Sequence, residues 1–346
     1  MKFQIILAFC LPLVLAACGI QSAPRPTPTP VSGPARPVII DTDMAADDWM
    51  AILYLLNRPD VRVEAITVTG TGEAHCEPGI KNAMDLAALA GQPDIPVSCG
   101  RATPLQGDHA FPAEWRARVD GLAGLTLPDN PAAPSPLSAV ELLASGINSM
   151  PEKVTLIALG PLTNLAEALQ SAPEIGENVE MVYIMGGAVD VPGNVGASHV
   201  GIDNPWADWN IYVDPRAAAV VFQSGVPVTL IPLDATNHVP VTTEFLDRLE
   251  DDHDTPEAGF AFDVLSQTEY RDFIRLGGYY LWDAIAAAIL TDNSLADFET
   301  RKLTVIEEEG EQSGRTLAGE DGRPVRVAVD VDAERFEQLF LDTLSN

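Results

Sequence analysis

The sequence predicts an α/β fold: a single domain on an open, mainly parallel sheet with helices on both faces. Three observations predict it. Short runs rich in Val, Ile and Leu, such as VTLIAL (154–159), VEMVYIM (179–185) and VTLIPL (228–233), are apolar almost throughout, as strands covered on both faces are. Helical stretches alternate with these runs, the order that a parallel sheet requires. Each polar cluster follows directly on the end of a strand, where ligands bind in such sheets.

Taken in order, residues 1–17 carry one lysine, Lys2, then an apolar run and LAAC (15–18). The pattern resembles a bacterial lipoprotein signal, with cleavage before Cys18 and acylation of its thiol. Residues 18–36 hold five prolines among Ser and Thr and read as a semi-extended tether. The expected location is the bacterial cell envelope, with the protein anchored by lipid on Cys18. The remaining 310 residues, 37–346, suffice for one large domain with a substantial core.

The domain opens on PVIIDTDMAADDWMAILYLL (37–56), a buried strand running into Asp41, Asp43, Asp47 and Asp48 and then an apolar helix. Like charges so crowded must be neutralised by raised pKa values or by a cation, and hard divalent ions prefer such oxygen-only ligands. The helix beginning near Asp47 adds its positive end to the same place. A strand at 61–69 feeds the polar loop GTGE (70–73), and a small-residue helix at 82–90 and a strand at 95–99 follow. Residues 100–130 read as irregular, with FPAEWR (111–116) in their middle. Helices are predicted at 138–147 and 163–170 around the strand at 154–159. After the strand at 179–185 comes a loop, 188–214, rich in Asn, Asp and Trp. A helix at 215–224, the strand at 228–233, partly helical acidic sequence at 245–273 and an apolar helix at 284–290 come next. A strand pair, 301–308 and 323–331, across a Gly-rich turn and an amphipathic helix at 333–344 close the chain.

The formal net charge of −30 argues against nucleic acid or an anionic membrane surface as partner and favours a small neutral ligand. Of four cysteines, Cys10 leaves with the signal and Cys18 is the acylation site. An envelope location permits Cys76 and Cys99 to pair, which spacing alone does not establish. The five histidines show no metal-ligand spacing.

IIDTDMAADD (39–48) resembles the aspartate motif of the calcium-dependent nucleoside hydrolases. ALGPLTN (158–164), MGGAVDVPGN (185–194), ADWNIYVDP (207–215), PLDATN (232–237) and YYLWDA (279–284) resemble that family's later blocks, in the right order. The resemblance implies a calcium ion held by Asp43, Asp48, the carbonyl of Leu159 and Asp283. It implies that Asp43 is also the general base toward an activated water, and that Asp47, Asn194, Asp208 and Asn210 hold ribose hydroxyls. Asp41 would support the loop, with Thr71 or Glu73 as further ribose contacts. The reaction implied is hydrolysis of an N-glycosidic bond through an oxocarbenium-like transition state.

Members acting on many nucleosides usually carry His where Trp282 stands. The Trp-Asp pair and Trp115 look like the purine-preferring branch, in which two tryptophans sandwich the base; the homologous expectation here is stacking by Trp115 and Trp282. Two departures stand out: Met44-Ala45 replaces the usual Pro-Gly or Gly-Asn, and Asp208 stands where Glu is usual. A rival reading is a non-catalytic nucleoside-binding lipoprotein that hands ligand to a transporter. The oligomeric state is left open, a homo-oligomer included.

Overall fold

The computed structural model describes residues 34–198 and 200–346. The signal, most of the tether, Cys18 and His199 lie outside the described residues. In chain order the elements are β1 (Arg36–Thr42), α1 (Ala46–Leu56), β2 (Val61–Val68), α2 (Cys76–Leu89), β3 (Val97–Cys99), α3 (Ala113–Asp120), α4 (Ala139–Ser149), β4 (Val154–Ala158), α5 (Thr163–Ser171) and β5 (Val179–Met185). Then follow α6 (Trp209–Val213), α7 (Pro215–Gln223), β6 (Val228–Ile231), α8 (Leu233–Thr236), α9 (Thr243–Asp251), α10 (Pro256–Leu265), α11 (Thr268–Arg275), α12 (Trp282–Thr291), β7 (Ala296–Val305), β8 (Thr316–Ala318), β9 (Arg323–Val331) and α13 (Ala333–Leu344).

One nine-stranded sheet has the order β3-β2-β1-β4-β5-β6-β9-β7-β8. Every pair from β3 to β9 is parallel, and β7 runs antiparallel to both β9 and β8. Side chains alternate across the strands, so Val38 and Ile40 enter one apolar core while Ile39 enters another on the opposite face. The first core is roofed by α1, α2, α9, α10, α12 and α13, and the second by α4, α5 and α7. Strands covered on both sides cannot show a polar alternation, which is why their sequences read as continuous apolar runs.

Several boundaries differ from the sequence expectation. The second helix starts at Cys76 rather than 82, because the Pro78 ring tolerates a first helical turn, where its missing N–H is not needed. The stretch 100–130, read as irregular, contains α3, and the loop 188–214 contains α6, capped by the Asp208 side chain accepting from the Asn210 amide. Helices of eight and five residues are too short to announce themselves by periodicity. The connection expected as a Gly-rich turn between the last two long strands carries β8, which pairs with β7 as the sheet edge.

Candidate active site

The chain leaves β1 toward β2 and β3 on one side and resumes on the other with β4, so the loops beyond β1 and β4 diverge. The crevice opened at such a reversal is where open parallel sheets bind ligands. The aspartate cluster stands there. Asp43 is wedged between two glycines: a Cβ on Gly72 would stand 2.1 Å from the Asp43 Cβ, and one on Gly160 2.5 Å from it. Only glycine fits at either place.

The loop after β1 is folded by its own acids. One oxygen of Asp48 accepts from the Thr42 hydroxyl, from the Asp43 amide at 3.1 Å and from the Met44 amide at 3.3 Å. Asp43 accepts from the Ala45 amide with one oxygen and from the Glu73 amide with the other, both at 3.3 Å. Met44 takes the left-handed backbone, φ 62°, a conformation that glycine adopts freely and a residue with a side chain does not. Its side chain is fully buried, and its carbonyl accepts from the Trp49 indole at 2.8 Å, so packing holds the unfavourable conformation. Asp41 points elsewhere, accepting from Thr67 at 2.7 Å and Asn164 at 2.8 Å, which fits its expected supporting role.

Helices α1 and α12 bring their N-termini together. The Asp283 amide donates to Asp47 at 3.3 Å, and near the other ends the Tyr54 and Thr291 hydroxyls are 2.7 Å apart, so the helices run side by side in the same direction. Two positive helix ends therefore face the same carboxylates. Asp47, Asp48 and Asp283, all buried, each offer an oxygen within 4.8 Å of the others. Asp48 Oδ2 and Asp283 Oδ1 have no hydrogen-bond partner among the described residues. Buried carboxylate oxygens left unpaired are costly, and a hard divalent cation satisfies them; the donor set fits such an ion. Asp43 borders this trio through its electrostatic coupling to Asp48. The Leu159 carbonyl accepts from the Asn210 side chain, Nδ2, at 2.9 Å, which joins the loop after β4 to the start of α6.

Burial and mutual repulsion raise the pKa values across the cluster. Asp47 and Asp48 are pushed up to about 7, mainly by burial and further by neighbouring aspartates. Asp43 and Asp283 are held well above the usual carboxylate range, first by burial and then by Asp48. Glu73, half-buried across from Asp43 and Asp47, is raised by burial and by those two charges, against the pull of Arg118 and Arg116. Asp41 rises to about 7 through burial, restrained by Thr67 and Asn164.

Of the expected ribose contacts, Asp47 belongs to the trio. Asp208 and Asn194 form a hydrogen-bonded pair, and Asn210 follows two residues after Asp208. Asp208 accepts from the Gly187 amide at 2.9 Å with one oxygen and from the Asn194 side chain at 3.2 Å with the other. Asn194 in turn accepts from the Trp209 amide at 3.0 Å. The shorter Asp side chain thus fits as a helix cap that holds the 185–194 loop. Thr71 joins a buried chain of hydroxyls, 2.9 Å from Thr69 and 3.0 Å from Thr163, which donates to Asp214 at 2.8 Å.

The two expected stacking residues belong to different aromatic groups. Trp115, on α3, lies 5.3 Å from Trp209, which stacks on Phe111 at 5.2 Å. Trp282 lies 5.8 Å from Tyr279 and 5.2 Å from Tyr280, with Tyr270 5.1 Å beyond Tyr279. Tyr279 and Tyr270 both feel the charges of Asp47 and Glu73, so this wall borders the acidic cluster. Sequence reasoning missed Trp209, Tyr270 and Tyr279; WADWN and the doubled Tyr before Trp282 were the signals available. His75, His109, His238 and His253 pair with Asp120, with Glu309 and the Tyr212 carbonyl, with Asp330, and with the Glu250 carbonyl.

Known proteins similar to this chain agree on the family and differ in the base they are named for. Residues 38–338 match the family described as inosine-uridine preferring nucleoside hydrolase. A pyrimidine-specific ribonucleoside hydrolase, RihA, of Citrobacter koseri is 38% identical over 214 residues, 62% of this chain and 65% of that protein. Its counterpart in Shewanella oneidensis is 37% identical over 213 residues, 62% of this chain and 64% of that protein. The chain thus spans about 65% of the length of the curated relatives it matches. Among solved structures, a plant nucleoside hydrolase superposes with a TM-score of 0.80 at 32% identity, covering 90% of this chain and 99% of that one. A purine-preferring ribonucleoside hydrolase from Gardnerella vaginalis superposes with a TM-score of 0.76 at 28% identity, covering 90% and 98%.

Proposed function

The chain belongs to the inosine-uridine preferring nucleoside hydrolase family, and on that premise we propose that it hydrolyses the N-glycosidic bond of ribonucleosides, purine ones preferred, to ribose and free base. The observation that carries the reading is the convergence of Asp47, Asp48 and Asp283 beside Asp43, with carboxylate oxygens left unpaired at the sheet's reversal point. Calcium is the proposed ion, held by Asp43, Asp48, Asp283 and the Leu159 carbonyl; bound there it would make a water more acidic and accept sugar hydroxyls as ligands.

The chain's own groups do the rest. Asp43, steadied by the Ala45 and Glu73 amides, takes a proton onto its carboxylate from the attacking water. Asp47, Asn194, Asp208 and Asn210 orient the ribose, and the surrounding negative charge favours the cationic sugar as the bond to the base breaks. Trp115 and Trp282 flank the base, and their electron-rich faces favour a base that is becoming protonated as it leaves. Purine preference rests on Trp282 standing directly before Asp283, where members acting on many nucleosides usually carry histidine. The RihA relatives are named pyrimidine-specific, so uridine and cytidine belong in the test.

The deciding experiment is release of free base from inosine, adenosine, guanosine, uridine and cytidine, with and without chelator. The expected outcome is calcium-dependent turnover with kcat/KM highest on the purines. Equal or higher values on uridine overturn the purine preference, and tight binding without base release would favour the transporter-feeding lipoprotein instead.

A further inference from the structure

We infer that the Cys76–Cys99 disulfide positions Asp43 for catalysis by holding the 69–76 loop against it; the inference rests on the hydrolase reading above. The bond joins the first residue of α2 to the last residue of β3, across a Cα–Cα distance of 5.6 Å. It thereby ties the far end of the loop to the sheet. The near end is tied by the Thr69 amide, which donates to the Thr42 carbonyl at 2.8 Å.

Between these ends the loop is squeezed. A Cβ on Gly70 would stand 2.8 Å from the Cys76 sulfur and 2.7 Å from the Arg101 carbonyl, so the disulfide side closes on Gly70. Two residues on, Gly72 presses on Asp43. The Glu73 amide then donates to the Asp43 carboxylate at 3.3 Å, and the Ala74 amide to the Asp43 carbonyl at 2.9 Å. Contact therefore runs unbroken from the disulfide through Gly70, Gly72 and Glu73 to the proposed base.

Among the other ties, the Thr71 hydroxyl lies 3.0 Å from that of Thr163 at the start of α5, and the rest lead to α3. Arg116 donates to the Gly70 carbonyl at 3.1 Å and the Ala74 carbonyl at 3.4 Å, and Asp120 accepts from the His75 amide at 2.8 Å. Helix α3 is short and half-exposed, with Val119 its single buried residue. Among the described residues the disulfide is the only covalent cross-link between this loop and the sheet, which it meets at β3. A loop that follows α3 when released would carry the Asp43 donors away with it.

The test compares the calcium-loaded protein before and after reduction by dithiothreitol, which converts the disulfide to two thiols and is itself oxidised to a cyclic disulfide. On inosine, well below Tm, reduction should lower kcat by about 10- to 100-fold while KM moves far less, because displacement of a reacting group by about 1 Å has effects of that order. Amide hydrogen exchange at Glu73 and Ala74 should accelerate. The Cys76→Ser/Cys99→Ser double variant should reproduce the reduced protein and ignore dithiothreitol, and Gly70→Ala, with the disulfide intact, should lower kcat by displacing the same loop. A fall in Tm alone, with kcat and exchange unchanged, would make the bond a mere staple and overturn the inference. An oxidised protein that releases no base would refute the hydrolase reading, and the exchange data would still decide whether the disulfide places the loop.

Discussion

Asp43 is the residue whose surroundings say most. Its neighbours are backbone: two glycines pressed against it and two amides aimed at its oxygens, an arrangement that fixes a carboxylate and leaves it free to accept a proton. Asp43→Asn keeps the shape and loses the basicity, so kcat should fall about 100-fold or more while the fold is retained. Near-normal turnover in that variant would remove Asp43 from the chemistry. Met44 makes a separate point about strain. At φ 62° an L-residue costs roughly 1–2 kcal/mol, whereas glycine does not. Both Met44→Ala and Met44→Gly empty the same buried space, but the glycine variant should be the more stable by about 1 kcal/mol, the reverse of the usual order. Denaturant unfolding of the pair settles it; an alanine variant as stable as the glycine one would mean the backbone relaxes. For Trp282, truncation to Ala should reduce turnover on inosine while leaving calcium affinity little changed, since the proposed ligands stay in place. Loss of calcium binding in that variant would show the indole to be a packing residue.

At the scale of elements, the parallel pair α1 and α12 explains how so many carboxylates can share one buried place. Each helix starts at the cluster and contributes its positive end, and neither N-terminus has a side-chain cap of its own. Burial, and after it mutual repulsion, still penalises the charged forms and raises the pKa values of Asp47 and Asp48. Their folded values of about 7 lie above the unfolded Asp value, so protonation favours the fold. That stability is fully present below about pH 4 and is lost as the pH rises through about 7. A cation that binds the ionised forms restores it. The rise in Tm produced by calcium should therefore grow between about pH 5 and pH 7 and level off above. Scanning calorimetry with calcium and with chelator measures the increment; one that does not change with pH would exclude these carboxylates as ligands.

At the scale of the whole molecule, the sheet reversal between β1 and β4 puts the aspartate loop at one end of a sheet covered on both faces. No helix among the described residues is long and apolar enough to cross a membrane. We propose that attachment is by acylation of Cys18, at the end of the segment 1–17 and ahead of the proline-rich stretch. One acyl chain holds a protein to a bilayer only marginally, so stable anchoring needs more than one on that residue. Cys18→Ser should shift the protein from the membrane fraction to the soluble one. Wild type recovered as soluble without detergent would count against lipidation.

Sequence alone determined the parallel α/β class, the position of the acidic loop after the first strand and the blocks that mark the family, because these depend on local runs: apolar strands, clustered aspartates and short motifs. It also placed Asp283 with the opening aspartates, though only through resemblance to a family; the structure supplies the cause, two parallel helices that start at one point. Helices α3 and α6 were not legible, being too short for a periodic signal and held by tertiary contacts such as Arg116 to Gly70 and Asp208 to Gly187. The pairing of Cys76 with Cys99 was undecidable from spacing, because nothing in a sequence says that the start of a helix lies beside the end of a strand. Likewise Trp209 and Tyr279 look like ordinary core residues until the fold brings them against Trp115 and Trp282. What a residue is can be read along the chain. What it faces is decided by contacts between segments far apart in sequence, and in this protein that is where Asp43 acquires its walls and its donors.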